Sequence, residues 1–412
     1  MLGVAEAVNT VLAAIAPLDV AEVHLDDALG RFAARDVTSA VAIPPWDNSS
    51  MDGYAVRASD VAVGAKLRVA ATIRAGALAD RPLPPGEAMK IMTGAPVPEG
   101  ADSVVRIEDA DESGGVVTIR DVRDAGKNIR KRAEDIAEGQ VVIKRGTRLL
   151  APHIGVLAST GASRVAVHAR PVVAIISTGD ELVRVEELDG ARDSRKIVSS
   201  NSYSLAALVR ESGGVPVDGG LIADDRDALR AALDEAADSD LIITSGGISV
   251  GEFDHTRDVI AAMGGQIAFW KVRVRPGANI AFGSVKGTPW LGLPGNPVSA
   301  LIGGELFIRP MLRKMSGSSR LFPRPVTAIA ATRFKASESM AHLERAILTH
   351  AENGELHARS TGPQGSGILS SMAAANALLL IPPGRTIDLG EIVTALPLDP
   401  DAHLTERFEL SA

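Results

Sequence analysis

The chain contains no cysteine. That absence excludes disulfides, thiolate metal ligands, a cysteine nucleophile and iron–sulfur clusters, and it fits a reducing cytoplasm. Aromatic residues make up only 3% of the 412 positions, so the cores must be built from Ala, Val, Leu and Ile. Positive charge is not in excess: 43 Lys and Arg against 51 Asp and Glu give a net charge of −8. A chain of that sign lacks the broad positive field that drives sequence-independent binding to nucleic acid, so no nucleic-acid partner is expected. No run reaches the roughly 18 apolar residues of a membrane span, so no membrane partner is expected either. The first twenty residues carry no basic region and are interrupted by Glu6; they read as a helix, not a signal peptide. A Walker A motif, a G-x-G-x-x-G fingerprint and a G-x-S-x-G elbow are all missing. The eight histidines are scattered without metal-ligand spacing.

What is present falls into segments. Val4, Val8, Val11 and Ile15 recur at helical spacing up to Pro17, and a second short helix is expected over about Leu25–Arg35. From Ala40 to about Gly139 the pattern is of short alternating strands, such as Leu67–Ile73, Ser103–Ile107 and Gly115–Ile119, separated by Gly, Pro and Asp. A helix is expected around His153–Thr160. Between Arg170 and Gly317 strands alternate with helices: Val172–Ser177, Val215–Ile222, Asp240–Thr244, Ile267–Val274 and Pro289–Leu293 read as strands. That order indicates a doubly wound parallel α/β sheet. The remainder, from Ser318, returns to strands and reads as a β-barrel or sandwich.

In such a sheet ligands bind beyond the C-terminal strand ends. Three turns fall there: Thr178–Glu181, Ser245–Gly251 and Leu293–Ser299. Glycine lets backbone amides approach an anion closely, and a following helix adds its positive end. Gly-rich turns also end strands with no ligand at all, but three on one edge point to a site for a phosphoryl or pyrophosphoryl group. Asp180, Glu181, Asp224, Asp225 and Asp254 gather near that edge and would suit a hard cation. Asp224 and Asp225 stand where helix caps belong, as could Asp254; Asp180 and Glu181 do not. Lys271, Arg273 and Arg275 alternate and, on one strand, would share a face fit for an anion.

Seven segments stand in order: Pro44–Arg57 (PPWDNSSMDGYAVR), Ile91–Ala101 (IMTGAPVPEGA), Ile129–Ile136 (IRKRAEDI), Ser177–Leu182 (STGDEL), Ser239–Glu252 (SDLIITSGGISVGE), Phe269–Gly277 (FWKVRVRPG) and Gly292–Ala300 (GLPGNPVSA). Together they resemble the MoeA / gephyrin E-domain family, the molybdopterin molybdenumtransferases, over essentially the whole chain. The resemblance implies an enzyme of molybdenum cofactor biosynthesis. It would take adenylylated molybdopterin and molybdate, use Mg²⁺, and release AMP and the finished cofactor. It implies an elongated, multidomain cytoplasmic homodimer. A linking and dimerisation domain (1–39 plus 136–168) would join a small β-rich domain (40–135), a MogA-like α/β molybdopterin-binding domain (169–317) and a C-terminal β-barrel (318–412). Molybdopterin adenylyltransferase and molybdoenzyme maturation proteins are the partners to expect.

By the same resemblance, Asp52, Thr93 and Asp135 of the β-rich domain would face the pterin site across the dimer. Glu181, Asp225 and Asp254 match acidic positions around the metal and pyrophosphate, with Asp180 beside them. Ser245, Gly246, Gly247 and Ser249 match one substrate loop, and Pro294, Gly295, Asn296, Pro297 and Ser299 the other. Lys271 matches a functional lysine, and Arg275 would join it in holding oxyanions. Four positions depart from the family pattern. Arg275 and Ala278 stand for the two lysines of a KPGKP run, Ser199 for an aspartate, and Ala133 for a glycine. Ala278 removes a cation expected near molybdate; Arg273 could compensate, or the preference could shift to tungstate. Two further readings are an enzyme that only adenylylates molybdopterin and a gephyrin-like scaffold without catalysis.

Overall fold

The computed structural model describes residues 1–191, 195–247 and 255–398. It divides into two compact units: Glu22–Ala166, and Met1–Ala21 with Val167–Ala412.

In the unit Glu22–Ala166, a six-stranded sheet runs in the order Ser103–Arg106, Gly53–Val56, Glu87–Ile91, Lys66–Ile73, Val116–Ile119, Ala110–Ser113. Both its faces are covered. Tyr54, Val56, Leu67, Val105 and Val117 pack on one side, and Ala55, Ile73, Met89, Ile91 and Val104 on the other. Gly53 is required by packing: a Cβ there would lie 2.0 Å from the carbonyl oxygen of Val105. The helix Ala151–Ser159 forms as expected. The expected helix over Leu25–Arg35 does not; only a 3₁₀ turn, Leu25–Asp27, is present. Gly30 takes a φ of 79°, and the amides of Gly30, Ala33 and Ala34 donate to Leu149, Thr147 and Ala166. Long-range backbone bonds outcompete a weak local helix signal here.

The other unit begins with helix α1 (Val4–Ala13). Ala7, Val11 and Ile15 are buried in one cluster with Val173, Leu208, Ile243 and Phe307. Helix α1 thus packs in the α/β core, while Val20–His24 pairs with Arg164–His168 of the linking segment. The α/β elements follow as β1 (Val172–Thr178), α2 (Ser200–Glu211), β2 (Val215–Ile222), α3 (Arg226–Glu235), β3 (Leu241–Ser245), α4 (Thr256–Ala262), β4 (Gln266–Phe269), β5 (Val274–Arg275), β6 (Ala281–Val285), β7 (Thr288–Leu293) and α5 (Pro297–Gly303). A π turn over Gly304–Ile308 carries α5 on into α6 (Arg309–Met315).

The sheet order is β2–β1–β3–β7–β6–β4. Its first four strands are mutually parallel. β6 runs antiparallel to both β7 and β4, so the sheet is not wholly parallel. The cause is a two-residue hairpin, Lys286–Gly287, with φ values of 50° and 90°. Two positive φ angles give a turn whose twist matches paired strands. Apolar clusters cover the two faces, one with α1, α2, α5 and α6, the other with α3 and α4. Gly213 ends α2 as expected, at φ 85°.

The stretch from Ile267 to Val274 is not one strand. β4 ends at Phe269, and β5 pairs instead, Val274 with Ala341 and Arg275 with His342, in a second sheet. That sheet is built from β8 (Val326–Ala330), β9 (Ala341–His350), β10 (Leu356–Ser360), β11 (Ala377–Ile381) and β12 (Ile392–Pro397). Pairings β9–β10–β8–β12–β11–β9 close it into a five-stranded barrel. Seven alanines, among them Ala328, Ala346, Ala358 and Ala377, fill the barrel core; small side chains suit so narrow an interior. No described helix is long and apolar enough to cross a membrane.

Candidate active site

The C-terminal ends of β1, β3 and β7 meet at one edge and bound a cavity of about 530 Å³. Gly246 and Gly247, at φ 93° and 63°, continue β3 into a turn pressed against β1. A Cβ on Gly246 would lie 2.5 Å from the Thr178 carbonyl oxygen, and one on Gly247 2.8 Å from Thr256 Oγ1. Across the cavity stands the turn Pro294–Pro297, which leads into α5. Asn201, from the first turn of α2, ties the two turns together. Its Nδ2 donates to Ser245 Oγ (2.7 Å) and to the Gly295 carbonyl (2.9 Å).

Three buried polar atoms in the cavity walls, Ser177 Oγ, Thr178 Oγ1 and Asn201 Oδ1, have no hydrogen-bond partner among the described residues. An unpaired buried polar group costs on the order of 1–3 kcal/mol. A polar ligand in the cavity would supply the missing partners. Neither Ser177 nor Thr178 drew attention as a side chain in the sequence, because their burial is set by neighbouring strands.

The carboxylates sort themselves. Asp225 Oδ1 caps α3, accepting from the amides of Asp227 (3.0 Å) and Ala228 (2.9 Å). Asp224 is not a cap. Its amide donates to Asp180 Oδ1 (3.1 Å). Burial, with the neighbouring charges of Asp180 and Glu181, holds its carboxyl above the usual carboxylate range, against a smaller opposing effect of His255. Glu181 lines the cavity. Among the described residues no three His, Asp or Glu side chains are gathered to hold a metal, so Asp180, Glu181 and Asp225 do not form a complete ligand set. Ser249 and Asp254 lie outside the described residues.

Arg275, Ala278 and Asn279 line a second cavity, of about 550 Å³, with Ser299 and with His342, Glu344 and Gln364 of the barrel. Asn279, Pro294 and Asn296 border both cavities. The three cations do not line one cavity. Arg273 instead borders a separate cavity with Gly3, Val4 and Leu380, and Lys271 is a wall of neither main cavity. No single strand carries the three: β4 ends at Phe269, and β5 holds only Arg275 of them. Sequence reading passed over His342 and Glu344; only the pairing of β5 with β9 brings them beside Arg275.

In the unit Glu22–Ala166, Asp52 and Thr93 meet. Asp52 Oδ1 accepts from the Thr93 amide (2.7 Å) and hydroxyl (2.9 Å). Asp135 is exposed, and its amide donates to the Ile43 carbonyl. Ala133 has a φ of 64°, the left-handed conformation that glycine adopts without strain.

Comparison with known proteins finds relatives over most of the chain. Residues 2–161 match the MoeA N-terminal region (domains I and II), residues 174–314 a probable molybdopterin binding domain, and residues 327–398 the MoeA C-terminal region (domain IV). The molybdopterin molybdenumtransferase of Haemophilus influenzae is 34% identical over 387 residues, 93% of this chain and 95% of that protein. Molybdopterin molybdenumtransferase 2 of Mycobacterium tuberculosis is 38% identical over 371 residues, 87% of this chain and 90% of that protein. The crystal structure of the molybdopterin biosynthesis MoeA protein from Pyrococcus horikoshii OT3 superposes with a TM-score of 0.80 at 29% identity, covering 97% of this chain and all of that one. With its three regions in the same order and its relatives matched nearly end to end, the chain belongs to the MoeA family of molybdopterin molybdenumtransferases.

Proposed function

We propose that this protein inserts molybdenum from molybdate into adenylylated molybdopterin and releases AMP, as a step of molybdenum cofactor biosynthesis. The observation that carries the reading is the cavity at the ends of β1, β3 and β7, with Ser177 Oγ, Thr178 Oγ1 and Asn201 Oδ1, unpartnered among the described residues, in its walls. Hydroxyls and backbone amides at that edge suit a pyrophosphate. Asn201 keeps the two turns in register while the ligand is held. Arg275, in the adjoining cavity, is the cation that would hold the oxyanion, and with Asn296 lining both cavities the two anions would lie next to each other.

Mg²⁺ belongs to the same proposal. This ion commonly takes one or two carboxylates and completes its shell with waters and substrate phosphates, so a protein without a full ligand set still fits it. Glu181 and Asp224, with Asp180 at hand, would hold it. When bound it would polarise the phosphoanhydride and stabilise the leaving phosphate. The reading also includes a cytoplasmic homodimer in which Asp52, Thr93 and Asp135 serve the pterin site of the other subunit. Molybdopterin adenylyltransferase would supply the substrate, and molybdoenzyme maturation proteins would receive the product.

Incubation with adenylylated molybdopterin, Mg²⁺ and molybdate is expected to release AMP only when all three are present. AMP release without molybdate, or ATP-dependent adenylylation of molybdopterin, would favour the adenylyltransferase reading. No release under any condition would favour the scaffold. Replacing molybdate by tungstate in the same assay settles which oxyanion Arg275, with Ala278 and Asn279 beside it, prefers.

A further inference from the structure

The cavity holding Arg275 carries a counter-charge that sequence motifs do not announce. His342 stands in register with Arg275 on the neighbouring strand β9. Its Nε2 accepts the Ser337 amide (3.4 Å), and its Nδ1 lies 3.5 Å from Glu344 Oε1. With Nε2 an acceptor, neutral His342 carries its proton on Nδ1, facing the Glu344 carboxylate. Both side chains are largely buried, 19% and 12% exposed, and both border the same cavity as Arg275.

The charges around His342 can be counted element by element. β5 brings Arg275. Its own strand brings Glu344 and the fully buried Arg345, whose guanidinium is directed to Ser371 Oγ and to the carbonyls of Pro363 and Gly365. β11 pairs Ile381 with it and brings no charge. The short strand Phe334–Lys335 and the loop after it bring Lys335 and Glu338, neither of which borders the cavity. With His342 neutral, Arg275 and Glu344 leave the cavity wall without net charge. With His342 protonated the wall gains one positive charge.

Building on the reading that Arg275 holds the oxyanion, we infer that the His342–Glu344 pair sets how tightly, and at what pH, this protein captures that dianion. Glu344 opposes the anion, and protonation of His342 cancels the opposition. Histidine is the side chain whose charge changes in the physiological range. Protonation places the new proton on Nε2 and costs only the long bond from Ser337. Burial holds the Glu344 carboxyl above the usual carboxylate range, against smaller opposing effects of His342 and Arg345.

The test is calorimetric titration of molybdate into the full chain, with AMP present, at pH 6 and pH 8. Wild type is expected to bind about tenfold tighter at pH 6, the scale of one added charge at short range across a partly screened site. Glu344→Gln is expected to bind about tenfold tighter than wild type at pH 8. His342→Gln should lose most of the difference between the two pH values. Thermal unfolding of each variant within a few degrees of wild type establishes that the fold is retained. Equal wild-type affinity at both pH values, or Glu344→Gln binding no tighter at pH 8, would overturn the inference. Arg275→Ala separates the two layers. If it abolishes binding while the pH dependence is absent, Arg275 keeps its role and the pair loses its own. If it binds like wild type, the reading of Arg275 falls and the inference with it.

Discussion

Asp52 Oδ1 accepts two hydrogen bonds from one residue, the amide and the hydroxyl of Thr93, although the two lie 41 positions apart. The pair joins the MDG turn at Gly53 to the end of the strand Glu87–Ile91. Thr93's amide, and then its hydroxyl, hold the Asp52 carboxyl below the usual carboxylate range. Asp52 thus stays ionised to lower pH than an unpaired aspartate. Thr93→Val keeps the amide bond and removes the hydroxyl, so the acid limb of the pH–rate profile should move to higher pH. Asp52→Ala should lose molybdate-dependent AMP release while melting close to wild type. An acid limb unmoved in Thr93→Val would remove Asp52 ionisation from the reaction.

Asn201 is the strut between the two glycine turns. Asn201→Asp removes both donors and sets a carboxylate against Ser245 Oγ and the Gly295 carbonyl. A cost of about 1–3 kcal/mol in urea unfolding is expected, together with weaker binding of AMP. Loss of stability with AMP affinity unchanged would confine Asn201 to the scaffold.

Ala133 occupies a glycine conformation, with φ at 64°. Ala133→Gly should relieve that strain and stabilise the protein by about 1 kcal/mol, the cost of one left-handed non-glycine residue less the entropy glycine gains when unfolded. Denaturant midpoints compare the two directly, and an unchanged or lower midpoint would argue that the turn already absorbs the side chain.

Tyr54 is 1% exposed, and its hydroxyl donates to Glu112 Oε2 (2.7 Å), which also accepts from Lys90 Nζ (2.8 Å). Burial first, and Glu112 second, push the Tyr54 hydroxyl well above the usual tyrosine range. A group raised in the folded state lends its stability in full below its unfolded value, near pH 10 for tyrosine. That contribution is then lost as pH climbs towards the folded value. Tyr54→Phe should cost about 1–2 kcal/mol at pH 7 and show a shallower loss of stability above pH 10. Identical alkaline slopes would place the titration elsewhere.

Much of the candidate site was legible because its turns are written in local chemistry. Thr178–Glu181, Ser245–Gly247 and Pro294–Pro297 follow apolar strand runs and need glycine or proline where they stand. The cap at Asp225 was legible for the same reason. Asp224 was misread as a cap because its role depends on Asp180, brought near by the pairing of β1 with β2. That Lys271, Arg273 and Arg275 do not line one cavity was not legible, because no single strand carries them: β4 ends at Phe269, and β5 joins the barrel sheet.

Local propensity and the order of segments were enough to determine that this chain builds a glycine-turned α/β site between β-rich regions. Tertiary pairing alone decided which side chains share a cavity. The closing of the barrel and the addition of β5 to it placed His342 and Glu344 beside Arg275. Contacts between residues nearly seventy positions apart depend on strand register, and register is set by the burial of whole faces and not by any residue's neighbours in the chain.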